Sequence, residues 1–302
     1  MKLLKLGCIG GLGFSLLAAI LLLVLLFYQG KRRPSGNAQY VSMGSSFAAG
    51  IGLGPRAPGS PIACMRTVNS YPPQLARMLN LRLVDVSCSG ATTENVLRGG
   101  QYFQAAQLDA LGRDTKLVTL TSGGNDIHYV GDLSFIAARN APSFYGWLMR
   151  RLWSGPLQPG QRDYAKVRRD LVAFVAEVQR RSPDALVVIV TYSAILPPSG
   201  TCSRLNLSAE EARDMRDVAE QLADATRAAA SDSGAPRGDM QRLGIDHHAC
   251  SAAPWVNGWI DAQGTRFHPN LLGARATAEA VAKAVGSARA RSTLHNRKGD
   301  QR

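Results

Sequence analysis

Short runs rich in Val, Ile, Leu and Thr alternate along most of this chain with segments whose apolar residues recur every three or four positions. That alternation restricts the architecture more than any other feature. The runs at 40–43, 81–86, 116–121 and 185–192 are too short for helices and suit strands covered on both faces. Helical spacing fills the intervals. One segment covers 71–79, opened by Pro72-Pro73. A second carries Tyr164, Val167, Leu171, Phe174, Val175 and Val178. A third, within 205–230, starts on Ser208-Ala209-Glu210-Glu211, the pattern of a capping box. The last carries Leu271, Ala274, Ala278, Val281 and Val285. Strand–helix alternation predicts an α/β fold with a central parallel sheet between two helical layers.

The termini differ from this body. Leu6 to Gly30 carry no charge and are mostly Leu, Ile, Val and Phe. At ~1.5 Å per residue a helix of that length can cross a ~30 Å hydrocarbon core. The expectation is one transmembrane helix, with 1–38 as anchor and linker, 39–286 as the folded body, and 287–302 as a disordered basic tail. Secretion after signal cleavage is the alternative. The net charge of +13 is concentrated at the ends, with Lys2, Lys5, Lys31, Arg32 and Arg33 around the apolar run and Arg289, Arg291, Arg297, Lys298 and Arg302 in the tail. This distribution suits membrane flanking and predicts no nucleic-acid partner. Arg150-Arg151 and the basic stretch 162–169 could meet anionic lipid, but a solvated helical face is the simpler reading.

Cys64, Cys88, Cys202 and Cys250 are an even number of body cysteines without close paired spacing. Two disulfides and an extracytoplasmic body are therefore expected, with three connectivities open on spacing alone, and no metal. No Gly-rich phosphate loop of the nucleotide-binding kind occurs, and no cofactor is expected.

In a parallel α/β sheet, ligands bind beyond the carboxyl ends of the strands. The first run leads into Gly44-Ser45-Ser46, the second into Ser87-Cys88-Ser89-Gly90-Ala91-Thr92-Thr93, and the third into Ser122-Gly123-Gly124-Asn125-Asp126. Phe267-His268-Pro269-Asn270 stands just before the last helix. A hydroxyl nucleophile, a base and neutral donors for a developing oxyanion are the parts that acyl transfer needs.

These four blocks, in this order, resemble the SGNH hydrolase superfamily, the GDSL-type esterases and lipases. The likeness covers roughly 39–286. It is greatest to the secreted actinobacterial-type lipases and esterases, which share the Cys-Ser-Gly-Ala-Thr-Thr and Phe-His-Pro-Asn stretches. The resemblance implies a flavodoxin-like three-layer α/β/α fold. It implies Ser46 as nucleophile and His268 as general base. It implies an oxyanion hole from the backbone N–H groups of Ser46 and Gly90 and the side-chain amide of Asn125. It also implies the pairings Cys64–Cys88 and Cys202–Cys250. Two positions depart from the pattern. Ser45 stands where the family has Asp, which leaves a second candidate hydroxyl. Thr265 stands where an Asp normally orients the histidine, so the Thr265 backbone carbonyl is the expected orienter, with Asp261 as rival. The implied activity is hydrolysis of carboxylic esters by a membrane-anchored extracytoplasmic serine esterase or lipase. The alternatives are an O-deacetylase of envelope polysaccharide and an inactive binding module of the same fold.

Overall fold

A computed structural model describes residues 2–31, 38–260 and 264–299, with the side chains of the first helix described at Ser15 and from Leu17 and those of the last up to Arg291. Five strands form one parallel sheet: β1 Tyr40–Gly44, β2 Leu83–Asp85, β3 Leu117–Thr121, β4 Leu186–Val190 and β5 Arg237–Gly238, in the order β2-β1-β3-β4-β5. Tyr40 pairs with Leu83 on one side and Leu117 on the other, and Leu117 pairs with Leu186. This is the flavodoxin-type order, in which the chain reverses its direction of travel across the sheet between β1 and β3. The crevice at that point receives the residues following both strands.

The helices are α1 Lys2–Gly30, α2 Ser46–Ala49, α3 Tyr71–Leu79, α4 Thr93–Arg98, α5 Tyr129–Asn140, α6 Phe144–Leu152, α7 Tyr164–Arg181, α8 Ala209–Asp232, α9 Met240–Leu243 and α10 Leu271–Gly299. Side chains alternate across the strands and so build two cores. Val41, Met43, Val118, Leu120, Val187 and Ile189 pack with Leu133 of α5, Phe174 of α7 and Leu222 of α8. Tyr40, Leu117, Val188 and Val190 pack on the other face with Leu75 of α3 and Ala278, Val281 and Val285 of α10. Helix α8 starts on the expected capping box, Ser208 accepting from the N–H of Glu211 while the Glu211 carboxylate accepts from Ser208.

Several expectations need correction. The second strand is shorter than the apolar run, because the N–H of Leu81 closes α3 by donating to Ala76. Strand β5 is two residues long and has no apolar run to announce it. Helix α10 continues beyond Ser287 to Gly299. The expected transmembrane helix is overturned: among the described residues no helix is long and apolar enough to cross a membrane. Instead the end of α1 packs on the body. Gln29 accepts a 2.7 Å hydrogen bond from the N–H of Ile62, and Phe27 meets the edge of Phe103 at 5.8 Å. Gly30 lies so close to the backbone of Tyr102 and Phe103 that a side chain there would clash.

Candidate active site

The chain leaves β1 through Gly44, whose φ of +128° and contact with the carbonyl of Thr121 exclude a side chain. Gln107 holds this turn from the side, accepting from the N–H of Gly44 at 2.7 Å and donating to its carbonyl at 3.1 Å. Ser45 follows as the N-cap of α2, and its N–H donates to Thr121. Its side chain is fully buried, 2.8 Å from the hydroxyl of Tyr192. That hydroxyl also accepts from the N–H of Gly124 at 3.2 Å. Ser45 thus braces the loops after β1 and β3 through Tyr192, and its hydroxyl is turned away from solvent. Burial raises the Tyr192 phenol to about 12, against the opposing effect of its bonds to Ser45 and Gly124.

Ser46 is the first residue of α2 and is partly exposed. Its Oγ lies 2.8 Å from Nε2 of His268, 222 residues further along the chain. Nδ1 of His268 lies 2.8 Å from the main-chain oxygen of Arg266. A carbonyl can only accept, so Nδ1 carries the proton and Nε2 presents its lone pair to the Ser46 hydroxyl. Phe47 packs beneath, 5.1 Å from the His268 ring and 4.5 Å from Tyr192. Burial is the main influence on His268 and lowers its pKa to about 4, with the Arg266 bond opposing it. The imidazole is therefore neutral at ordinary pH and able to accept a proton.

The carbonyl that meets Nδ1 of His268 is that of Arg266 and not the expected one of Thr265. Residues 265–268 form a tight turn in which the N–H of His268 donates to Thr265 at 3.3 Å. Phe267 adopts the left-handed conformation at φ 56°. The Thr265 carbonyl is occupied by that bond and by the amide of Asn257 at 3.1 Å. The turn instead presents the next carbonyl, that of Arg266, to the imidazole. Asp261, the rival orienter, lies outside the described residues.

The second block is held against both neighbours. Cys64 is bonded to Cys88 and Cys202 to Cys250, the pairing that the resemblance implies. Gly90 takes a φ of +83°, and Ser89 beside it donates to the carbonyl of Cys64. Asn125 spends one amide hydrogen on the carbonyl of Ala91 at 2.9 Å, which fixes the amide and leaves its other N–H to donate. Asp126 accepts from the N–H and hydroxyl of Thr93 at the start of α4. Ser46 and His268 are thus in direct contact, while Gly90 and Asn125 sit on loops tied together through Ala91 and Thr93.

A cavity of about 750 Å³ opens beside His268, lined among others by Ser134, Trp259, Ile260, Thr265 and Arg266. The Arg266 guanidinium lies over Trp259 at 4.2 Å and donates to its carbonyl, so this wall is stiffened by the same residue whose main-chain oxygen meets His268. A second cavity of about 640 Å³, between the end of α1 and edge strand β2, holds none of the four residues. Elsewhere, His247 stacks on Trp255 at 4.1 Å and bonds to the carbonyl of Ala253, a packing role.

Tyr192, Gln107 and the Arg266 carbonyl do not emerge from the sequence. Tyr192 had a usable signal, since it stands just beyond the carboxyl end of β4. Gln107 and Arg266 had none, since one works through a distant loop and the other through its backbone.

Comparison with known proteins agrees with this fold. The GDSL-like lipase/acylhydrolase family matches residues 42–276. Lipase 2 of Streptomyces coelicolor is 32% identical over 82% of this chain and 85% of its own. The extracellular lipase of Streptomyces rimosus superposes with a TM-score of 0.65 at 26% identity, over 81% of this chain and 98% of its own. Phospholipase A1 of Streptomyces albidoflavus superposes at 0.61 with 25% identity, over 82% and 98%.

Proposed function

This chain belongs to the GDSL-like lipase/acylhydrolase family and is an ester-hydrolysing serine enzyme, and on that premise we propose that Ser46 and His268 carry the reaction through an acyl-enzyme outside the cytoplasm. The observation that supports this most is the 2.8 Å contact between Ser46 Oγ and His268 Nε2 at the crevice between β1 and β3. As Ser46 Oγ attacks the ester carbonyl, Nε2 takes its proton. The imidazolium that forms is held by the Nδ1–H bond to Arg266. The carbonyl oxygen, now negative, is met by the N–H groups of Ser46 and Gly90 and the free amide hydrogen of Asn125. Such donors act most strongly on the charge that develops in the transition state. His268 then returns the proton to the departing alcohol, and water, activated by the same imidazole, releases the acid.

An extracytoplasmic setting is supported by the two disulfides and by the likeness to a lipase described as extracellular. The substrate class we favour is a lipid ester, on the strength of relatives that are lipases and a phospholipase. Hydrolysis of p-nitrophenyl esters of increasing acyl length tests it. Preference for medium or long chains is the expected result. A sharp preference for acetyl would redirect the assignment to an O-deacetylase, and no hydrolysis by folded protein would favour a binding module.

A further inference from the structure

Helix α6 and the neighbouring α5 expose a group of apolar and cationic side chains that no part of the reaction uses. Phe144 is 76% exposed, Leu152 72% and Trp147 46%, with Tyr145 and Phe135 exposed beside them. The buried side of α6 is Gly146, where any side chain would strike the carbonyls of Ala138 and Ala141. The helix therefore lies tightly on the end of α5 and turns its large residues outward. Phe144 stacks on Trp147 at 5.5 Å, and the Arg151 guanidinium covers the Trp147 ring at 5.4 Å. These three, spaced at 3 and 4 residues, form one stripe along the helix.

Along the chain, the charges in the stretch that carries this stripe have one sign. No Asp or Glu occurs from Leu133 to Arg162, while Arg139, Arg150, Arg151 and Arg162 do. Arg162 is buried in an ion pair with Asp132, so the sequence reading of it as a solvated residue is corrected, and Arg139 is paired with Glu211. Arg150 is exposed and donates to the carbonyls of Arg139 and Ala141, and Arg151 is exposed beside Trp147. Aromatic residues with arginines on an exposed helix are the composition that settles at an anionic lipid interface: rings enter the headgroup boundary and guanidiniums meet phosphates. Helix α5 links the two regions, because Ser134 lines the cavity beside His268 and Phe135 packs on Trp153, the residue after α6, at 5.6 Å.

We propose that the outer face of α5 and α6, centred on Phe144, Trp147, Arg150 and Arg151, docks the enzyme on an anionic lipid surface and brings the cavity beside His268 to that surface. This rests on the reading of the protein as a hydrolase of lipid esters.

The test uses the full chain and quenching of tryptophan emission by vesicles of phosphatidylcholine brominated in the acyl chains, with and without a third of phosphatidylglycerol. The chain up to Lys31 has no tryptophan, so the signal arises from the body. Quenching is expected with the anionic vesicles and weakly with pure phosphatidylcholine. Trp147→Phe should lose most of the quenching, and Arg150→Glu with Arg151→Glu should weaken partitioning roughly tenfold or more. Hydrolysis of soluble p-nitrophenyl acetate should stay at the wild-type rate in both variants, which also establishes that they fold. Equal quenching by both vesicle types, or unchanged quenching in Trp147→Phe, overturns the proposal. Absence of soluble-ester hydrolysis in the wild type would instead remove the enzymatic reading, whatever the vesicles report.

Discussion

The main-chain oxygen of Arg266 lies 2.8 Å from Nδ1 of His268, in the position where a carboxylate would otherwise orient the base. A neutral acceptor fixes the tautomer and the ring as a carboxylate does, but it leaves the developing imidazolium without a full countercharge. The turn at 265–268 makes the contact, and Phe267 takes the left-handed conformation to do so.

Because the acceptor is backbone, side-chain replacements at the turn should be tolerated. Thr265→Ala and Asp261→Asn are expected to keep kcat within about threefold of wild type. Steady-state kinetics on a soluble ester decide it. A fall of ~10⁴, the scale seen when a triad Asp becomes Asn, would move the orienting role from Arg266 to the substituted residue.

Burial holds His268 at about 4, so the basic form persists well below the usual imidazole range. The acid limb of kcat/KM should accordingly fall near pH 4, and a limb near ~6.5 would contradict the buried, neutral base. The stability effect has a definite sign. Between the unfolded value of ~6.5 and the folded value the unfolded chain binds the proton and the folded one does not, so stability falls as pH drops through that window.

Tyr192→Phe removes a hydroxyl that meets both Ser45 and the N–H of Gly124 inside the protein. Unpairing buried groups of this kind costs about 1–3 kcal/mol. The variant is expected to unfold at lower denaturant and to lose kcat more than it gains in KM, since the loops carrying Ser46 and Asn125 lose a common brace. Identical melting and turnover would show that Tyr192 is only a packing residue.

Asn125→Ala should lower kcat by ~10²–10³ with little change in KM, the signature of a donor that acts on the transition state. Its bond to Ala91 is also lost, so circular dichroism and melting should be followed alongside the kinetics. Unchanged turnover would take Asn125 out of the oxyanion hole.

The parallel sheet was legible because β1, β3 and β4 are short runs of mostly apolar residues broken only by Ser42 and by Thr119 and Thr121, and the outer helices because their apolar stripes keep helical spacing. The two-residue β5 was not, having no apolar run, and neither were α4 and α6, which are only six and nine residues long although Thr92 and Ser143 cap them locally. The apolar run before Gly30 indicated a membrane span. The contacts of Phe27 and Gln29 with the body are long-range, and nothing in the local sequence announces them. At the site, the Ser-, Gly- and Asn-bearing loops after the strands and the His before the last helix were legible, and the family resemblance singled out Ser46, Gly90, Asn125 and His268 among them. The choice between the Thr265 and Arg266 carbonyls depends on one backbone dihedral at Phe267, which residue identity does not encode.

The central claim is that Ser46, and not the buried Ser45, is the nucleophile. Labelling with a fluorophosphonate followed by peptide mass mapping tests it most directly. The account predicts a single adduct on Ser46, absent in Ser46→Ala and retained in Ser45→Ala. An adduct on Ser45, or labelling that survives Ser46→Ala, would contradict it.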